Sequence, residues 1–208
     1  MIKIFAFLLL SLTACTRAEM QPEFPVAQLK PTAKLSWEIN HPERAFWSDA
    51  LMNQITLNFD SFAKAKDSKF FMPNFESLSR NEKIRIWAEI MVWLAYYESS
   101  WNPLSYSIDV GSPKDKDTWS VGLYQLSVVD GPIKKLGYSF KDLQDPIKNI
   151  TGGVAIFVRQ FNKYGVWLIF GGPSQGLYFA TLHPGGKYDK SEAIKQRVQS
   201  SSDITQAL

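Results

Sequence analysis

One stretch limits what this chain can fold into more than any other. Ser79-Arg80-Asn81-Glu82 has the spacing of a capping box, in which the serine and glutamate side chains each satisfy a free backbone NH at a helix start. Ile84, Trp87, Ile90, Met91, Trp93, Leu94 and Ala95 follow, up to about Tyr97, and the second half of the run is apolar on nearly every face. A helix with no polar face has to be enclosed by other elements. The expected fold class is therefore mainly α, with this helix at its centre.

Other helices are legible around it. Pro42 is placed to open one, with Phe46, Trp47, Ala50, Leu51, Ile55, Phe59 and Phe62 recurring at helical spacing. Asp145-Pro146 reads as an N-cap with proline in the first turn, and Ile150, Val154, Phe157, Val158 and Phe161 continue the period until Gly165 can stop it. Shorter helices are expected over residues 174–182 and 191–199. Strand signal is confined to residues 105–121, which are rich in Asp, Gly, Lys and Ser and suggest a small loop or β-hairpin. Trp87, Trp93 and Trp167 fall at core spacing and read as packing.

The first residues bear on location. Lys3 precedes an apolar run, Ile4 to Leu10, that is far short of the ~20 residues a membrane-spanning helix needs. It reads as the core of a secretory signal. Leu12-Thr13-Ala14-Cys15 resembles the lipobox of bacterial lipoproteins, which implies removal of residues 1–14 and a lipid on Cys15. Cys15 is the one cysteine, so the exported protein has no disulfide. Acyl chains contribute about 0.8 kcal/mol per buried CH₂, so several would hold the protein on a membrane. Thr16 in place of an acidic residue favours the outer membrane, facing the periplasm. Residues 15–36 contain Pro22, Pro25 and Pro31 and read as a tether, leaving residues 37–208 as one domain, expected to be a monomer. The net charge of +3 suits an anionic partner polymer but also suits an ordinary solvated surface.

Glu98 is the residue with chemistry. It sits at the C-terminal end of the central helix, where the negative end of the dipole disfavours a carboxylate. Apolar and aromatic neighbours would add desolvation, and both effects raise its pKa. A glutamic acid kept protonated near neutral pH is the proton donor that glycosidic bond cleavage requires.

The residues around it match a known pattern. Glu98-Ser99, Trp101-Asn102-Pro103, Ser107 and then Gly122-Leu123-Tyr124-Gln125 resemble the lytic transglycosylase domain of the soluble type, related in fold to goose-type lysozyme. Asp145-Pro146, Asn149-Ile150, Gly153 and Tyr164-Gly165 match a later segment of the same family. The resemblance implies a lysozyme-like helical domain that cuts peptidoglycan glycan strands at the β-1,4 bond between N-acetylmuramic acid and N-acetylglucosamine. Glu98 would act as acid and then base, and the 6-hydroxyl of the sugar would close a 1,6-anhydro ring. Ser107, Gly122, Tyr124, Gln125 and Tyr178 would line the substrate site, with Asn149 bracing the loops.

The chain departs from that family in three places. Residues 108–121 are longer than the usual short link, and they bring Asp109, Asp115 and Asp117, any of which could serve as a second carboxylate for a hydrolytic, lysozyme-type reaction. Tyr124 stands where the family has methionine. Tyr178 replaces the family's C-terminal tyrosine in a different local context. The last two changes suggest a pocket adapted to a modified glycan, such as one lacking acetyl groups. Two histidines, His41 and His183, are too few for a zinc site, and Gly171-Gly172-Pro173 is no phosphate loop. No metal, cofactor or nucleic-acid partner is therefore expected. A noncatalytic peptidoglycan-binding lipoprotein is the alternative of another class, and Glu98 is the feature that opposes it.

Overall fold

The central helix is present where the pattern put it. In the structure, a computed structural model that describes residues 34–168 and 178–201, α3 runs Arg80–Ser99. Its capping box forms as expected: Glu82 N donates to Ser79 Oγ at 3.4 Å, and Ser79 N donates to Glu82 Oε2 at 2.7 Å. Isoleucines, Trp87, Met91 and Leu94 along α3 are buried. Ahead of it, a 3-10 turn at Pro42–Arg44 leads into α1, Ala45–Leu57, and then the single turn α2, Phe59–Phe62. The helix opened by Pro42 is thus broken at Asn58 but keeps its inward face. Both α3 and the later α5, Pro146–Tyr164, pack against α1.

The predicted ends of α5 are borne out in detail. Asp145 Oδ1 accepts from the amides of Ile147 and Lys148 at 2.9 and 3.0 Å, and Gly165 adopts φ +68° after the last turn. An antiparallel pair, β1 at Tyr106–Ser107 and β2 at Ser120–Val121, forms the small hairpin in register Tyr106 to Val121. A short helix, α4 at Gly131–Leu136, was not foreseen. The last helix, α6 at Ser191–Ser200, closes against α3. The helix expected over residues 174–182 is a correction: residues 174–177 lie outside the described residues, and Ala180–Leu182 is one 3-10 turn.

Aromatic rings fill the centre. Phe62 lies 5.4 Å from Trp87, 5.0 Å from Phe161 and 5.9 Å from Trp167, all edge-on or tilted. Both indole NH groups, of Trp87 and Trp167, donate to the Ser68 hydroxyl at 3.2 Å, so one buried oxygen serves two large rings. Trp93 departs from the expected core role. It is half-buried, with the Arg197 guanidinium 5.0 Å over its ring. Beside the core, the Asp67 carboxylate accepts from the amides of Trp167 and Leu168 at 2.8 Å each.

Folded packing begins ahead of residue 37. Leu35 and Ser36 are buried, and Ser36 donates through its amide and hydroxyl to the fully buried Glu89 at 3.2 and 2.9 Å. The end of the expected tether is therefore part of the domain. Cys15, the signal segment, the tether up to residue 33 and the Gly171-Gly172 pair lie outside the described residues.

Candidate active site

The end of α3 is fastened on two sides. Ser99 Oγ lies 3.0 Å from the carbonyls of both Ala95 and Leu123, tying the helix to the Gly122–Gln125 turn. Beyond it, Ser100 and Trp101 adopt φ +54° and +59°, two successive non-glycine residues in the left-handed region. Each costs about 1–2 kcal/mol. Ser100 N donating to Tyr96 O at 2.7 Å and Trp101 Nε1 donating to Val92 O at 2.7 Å hold the reversal in place. The chain thereby turns sharply after Glu98 instead of running on and covering it.

Glu98 is mostly buried in that last turn. Burial raises its pKa above the ordinary glutamate range, and the hydroxyl of Thr181, donating to Oε1 at 2.7 Å, pulls the other way. The dipole of α3 adds to the first effect. The carboxyl is therefore a poorly solvated acid held at one oxygen, among the described residues, by the Thr181 hydroxyl.

Tyr178 comes to the same place. Its hydroxyl donates to Asp130 Oδ2 at 2.5 Å and accepts from Ser127 N at 3.0 Å, with the Gln125 carbonyl 3.3 Å away. Burial first, then the charge and hydrogen bond of Asp130, hold the phenol far above its ordinary range, and the nearby Glu98 carboxyl adds to this. Burial and Asp130 thus favour the neutral hydroxyl of Tyr178, which feels the charge of Glu98. The amide nitrogen of Gln125 donates to Gly122 O at 2.9 Å and Ser105 O at 3.3 Å, which leaves its oxygen to accept from a ligand.

Two expected substrate contacts are not placed for that role. The ring of Tyr124 is fully buried, packed on Gly153 and 6.4 Å from Phe179, and its hydroxyl has no hydrogen-bond partner among the described residues. Gly122 does permit a close approach, but to protein. A Cβ there would stand 2.2 Å from Asn149 Nδ2 and 2.3 Å from the Leu143 carbonyl. Asn149 is the brace: its amide donates to Leu143 O at 2.7 Å and Val121 O at 2.9 Å and accepts from Tyr124 N at 2.9 Å.

Ser107 is exposed on β1, opposite Ser120. The aspartates of the 108–121 segment serve the loop. Asp109 Oδ1 accepts from Gly111 N at 2.9 Å, and Asp115 Oδ1 caps Asp117 N at 3.0 Å. Asp117 is exposed, and its carbonyl accepts from the Ser127 hydroxyl at 2.8 Å. None of the three is among the causes of the rise at Glu98. Thr181, Asp130 and Ser127 were missed by sequence reasoning. No local pattern marks a hydroxyl 83 positions from its carboxylate.

Comparison with known proteins agrees with this geometry. Residues 77–177 match the family model described as the transglycosylase SLT domain. Among solved structures the wild-type protein Bd0314 DslA, in its second form, superposes with a TM-score of 0.68 at 22% identity, covering 83% of this chain and 97% of that one. A glutamate-to-glutamine variant of the same protein gives 0.67 at 21% identity, covering 81% and 96%. At these identities the likeness concerns the fold. No curated protein sequence matches.

Proposed function

From a chain whose residues 77–177 belong to the transglycosylase SLT family, a family of lytic transglycosylase-type peptidoglycan cleavage, we propose an enzyme that cuts glycan strands with Glu98 as its acid and base. The observation that carries this reading is the state of Glu98: a desolvated carboxyl with raised pKa, at the matching Glu-Ser position, held by Thr181 and next to the neutral Tyr178 hydroxyl. Protonated, it donates to the leaving glycosidic oxygen. As the carboxylate it then accepts the proton of the sugar 6-hydroxyl, which attacks the anomeric carbon and leaves a 1,6-anhydro end. The Thr181 hydrogen bond stabilises that ionised intermediate stage. Ser107, Gln125 and Tyr178 are the groups proposed to hold the sugar and its acyl substituents. A glycan lacking some acetyl groups is the proposed natural variant, a reading that rests on the changed context of Tyr178 now that Tyr124 lies in the core.

Export and a lipid on Cys15, placing the domain at the outer membrane as a monomer, complete the proposal and rest on the N-terminal sequence alone. Labelled fatty acid should enter the protein expressed in a bacterium and be lost with Cys15→Ala.

Mass spectrometry of purified peptidoglycan digested with the folded domain tests the chemistry. Anhydro-muropeptides that vanish with Glu98→Gln are expected. Reducing-end products, also lost in the variant, would replace the transglycosylase with a muramidase. No products on acetylated or deacetylated wall would favour the binding module.

A further inference from the structure

The face of α5 turned away from Tyr124 and Phe179 carries a groove of its own. Gly152, Gly153 and Phe157 pack inward against Leu126, Tyr124 and Phe179. Across the helix, α1, α4 and α5 enclose an open cavity of about 910 Å³. Its floor is aliphatic, built from Leu136, Val154 and Val158. Its rim holds Lys135, Arg159 and Lys163, all exposed, and no carboxylate lines it. None of the three cations has an ion pair among the described residues, although Lys163 lies 4.7 Å from the Tyr164 ring. Lys64, donating to the rim residue Asn162 at 2.7 Å, extends the positive edge. Three uncompensated cations on one groove equal the whole net charge of the chain, +3.

Those features select an occupant. No aromatic side chain lines the groove although 14% of the chain is aromatic, so it offers no stacking face for a sugar. A concave shape suits a discrete chain better than a lipid surface. An aliphatic floor under a cationic rim fits a short peptide that carries both methyl groups and carboxylates. The geometry points to a second binding site, one for the acidic stem peptide of the wall polymer, apart from the residues around Glu98. The inference rests on the proposed peptidoglycan substrate only for the identity of that peptide. Its physical consequence is retention: each stem held in the groove keeps the enzyme on the wall between cleavages. The groove is also tied to the reaction centre. Gly131, on its lining, follows Asp130, which holds the Tyr178 hydroxyl.

A titration decides it. Glu98→Gln protein is titrated by nuclear magnetic resonance with a synthetic tetrapeptide of alanine, γ-linked D-glutamate, a diamino acid and D-alanine. Chemical shifts should move in α4 and the outer face of α5, and raising the salt from low to high should weaken binding. The double charge reversal Arg159→Glu, Lys163→Glu should weaken it by about tenfold or more. The same reversal placed in the active protein should leave cleavage of short, peptide-free glycan unchanged and slow digestion of intact wall. Equal binding by the reversed variant, or shifts elsewhere, overturns the site. Binding to vesicles rich in anionic lipid with no response to the peptide overturns it in favour of a membrane surface. Peptide binding by a wild type that cleaves nothing would leave the groove standing and remove the enzymatic reading instead.

Discussion

Replacing Gly122 with alanine separates two uses of a glycine. A Cβ at this position would lie 2.2 Å from Asn149 Nδ2, 2.3 Å from the Leu143 carbonyl and 2.8 Å from Asn149 Cγ, all impossibly short. The backbone is at φ +77°, which costs alanine about 1–2 kcal/mol by itself. Asn149 is fully buried, so moving its amide off Leu143 O and Val121 O strands polar groups at roughly 1–3 kcal/mol each. Together the expected loss is about 3–8 kcal/mol, and at roughly 2–4 °C per kcal/mol for a domain this size the Tm falls by about 6–32 °C. Thermal melts followed by circular dichroism measure it. On an Asn149→Gly background much of the clash is already gone, leaving the φ strain and the Leu143 carbonyl, so the two substitutions should be strongly non-additive. Activity should fall only as the folded fraction falls. A Gly122→Ala protein with an unchanged Tm and no cleavage would refute this account and return the glycine to the substrate.

Glu98→Gln should abolish cleavage while leaving the fold intact, checked by digestion assay and melting curve together. Because burial raises the folded-state pKa of Glu98 above its unfolded value, its contribution to stability is full below the ordinary glutamate range and is lost as pH rises through the raised pKa. The glutamine variant should therefore gain on the wild type in Tm toward alkaline pH and not at acid pH. Cleavage by the wild type should fall over the same rise, as the donated proton is lost. Thr181→Val removes the hydroxyl that donates to Oε1, so the alkaline limb of the pH–rate profile should move upward; an unmoved limb would show that this hydrogen bond does not tune the acid. Ser68→Ala strands two buried indole NH groups and should cost about 2–4 kcal/mol, read by melting and by tryptophan fluorescence.

Local signals were legible where a local rule sets the structure. The capping box at Ser79, the Asp145-Pro146 start and the Gly165 stop each depend on residues within four positions, and each formed. The helix expected at residues 174–182 had apolar residues but no cap, and tertiary contacts at Tyr178, Phe179 and Thr181 hold the described part of it as a turn. Long-range partners were invisible. The hydroxyl of Thr181 and the carboxylate of Asp130 meet Glu98 and Tyr178 across dozens of residues. Tyr124 was misjudged for a related reason. Its polar atom suggested a ligand, yet Gly153 on α5 leaves room for the ring inside the core, and burial of an unpartnered hydroxyl has no sequence signature.

The chemistry proposed for Glu98 needs opposed influences, which different parts of the chain provide. Burial alone would give a carboxyl too reluctant to ionise, a good acid and then no base for the second half of the reaction. Full solvation would give a carboxylate with no proton to donate. The end of α3 provides desolvation and the unfavourable dipole, both fixed by the tight reversal at Ser100 and Trp101. Thr181, delivered by a turn near the C-terminus, supplies a compensating donor to one oxygen. Tyr178, whose ionisation is disfavoured by burial and then by Asp130, adds a polar neighbour without adding charge. A second carboxylate at this position would push the acid further toward its neutral form and impair the return step. Among the described residues, burial and the Thr181 hydroxyl are what set Glu98, and no carboxylate contributes to its shift.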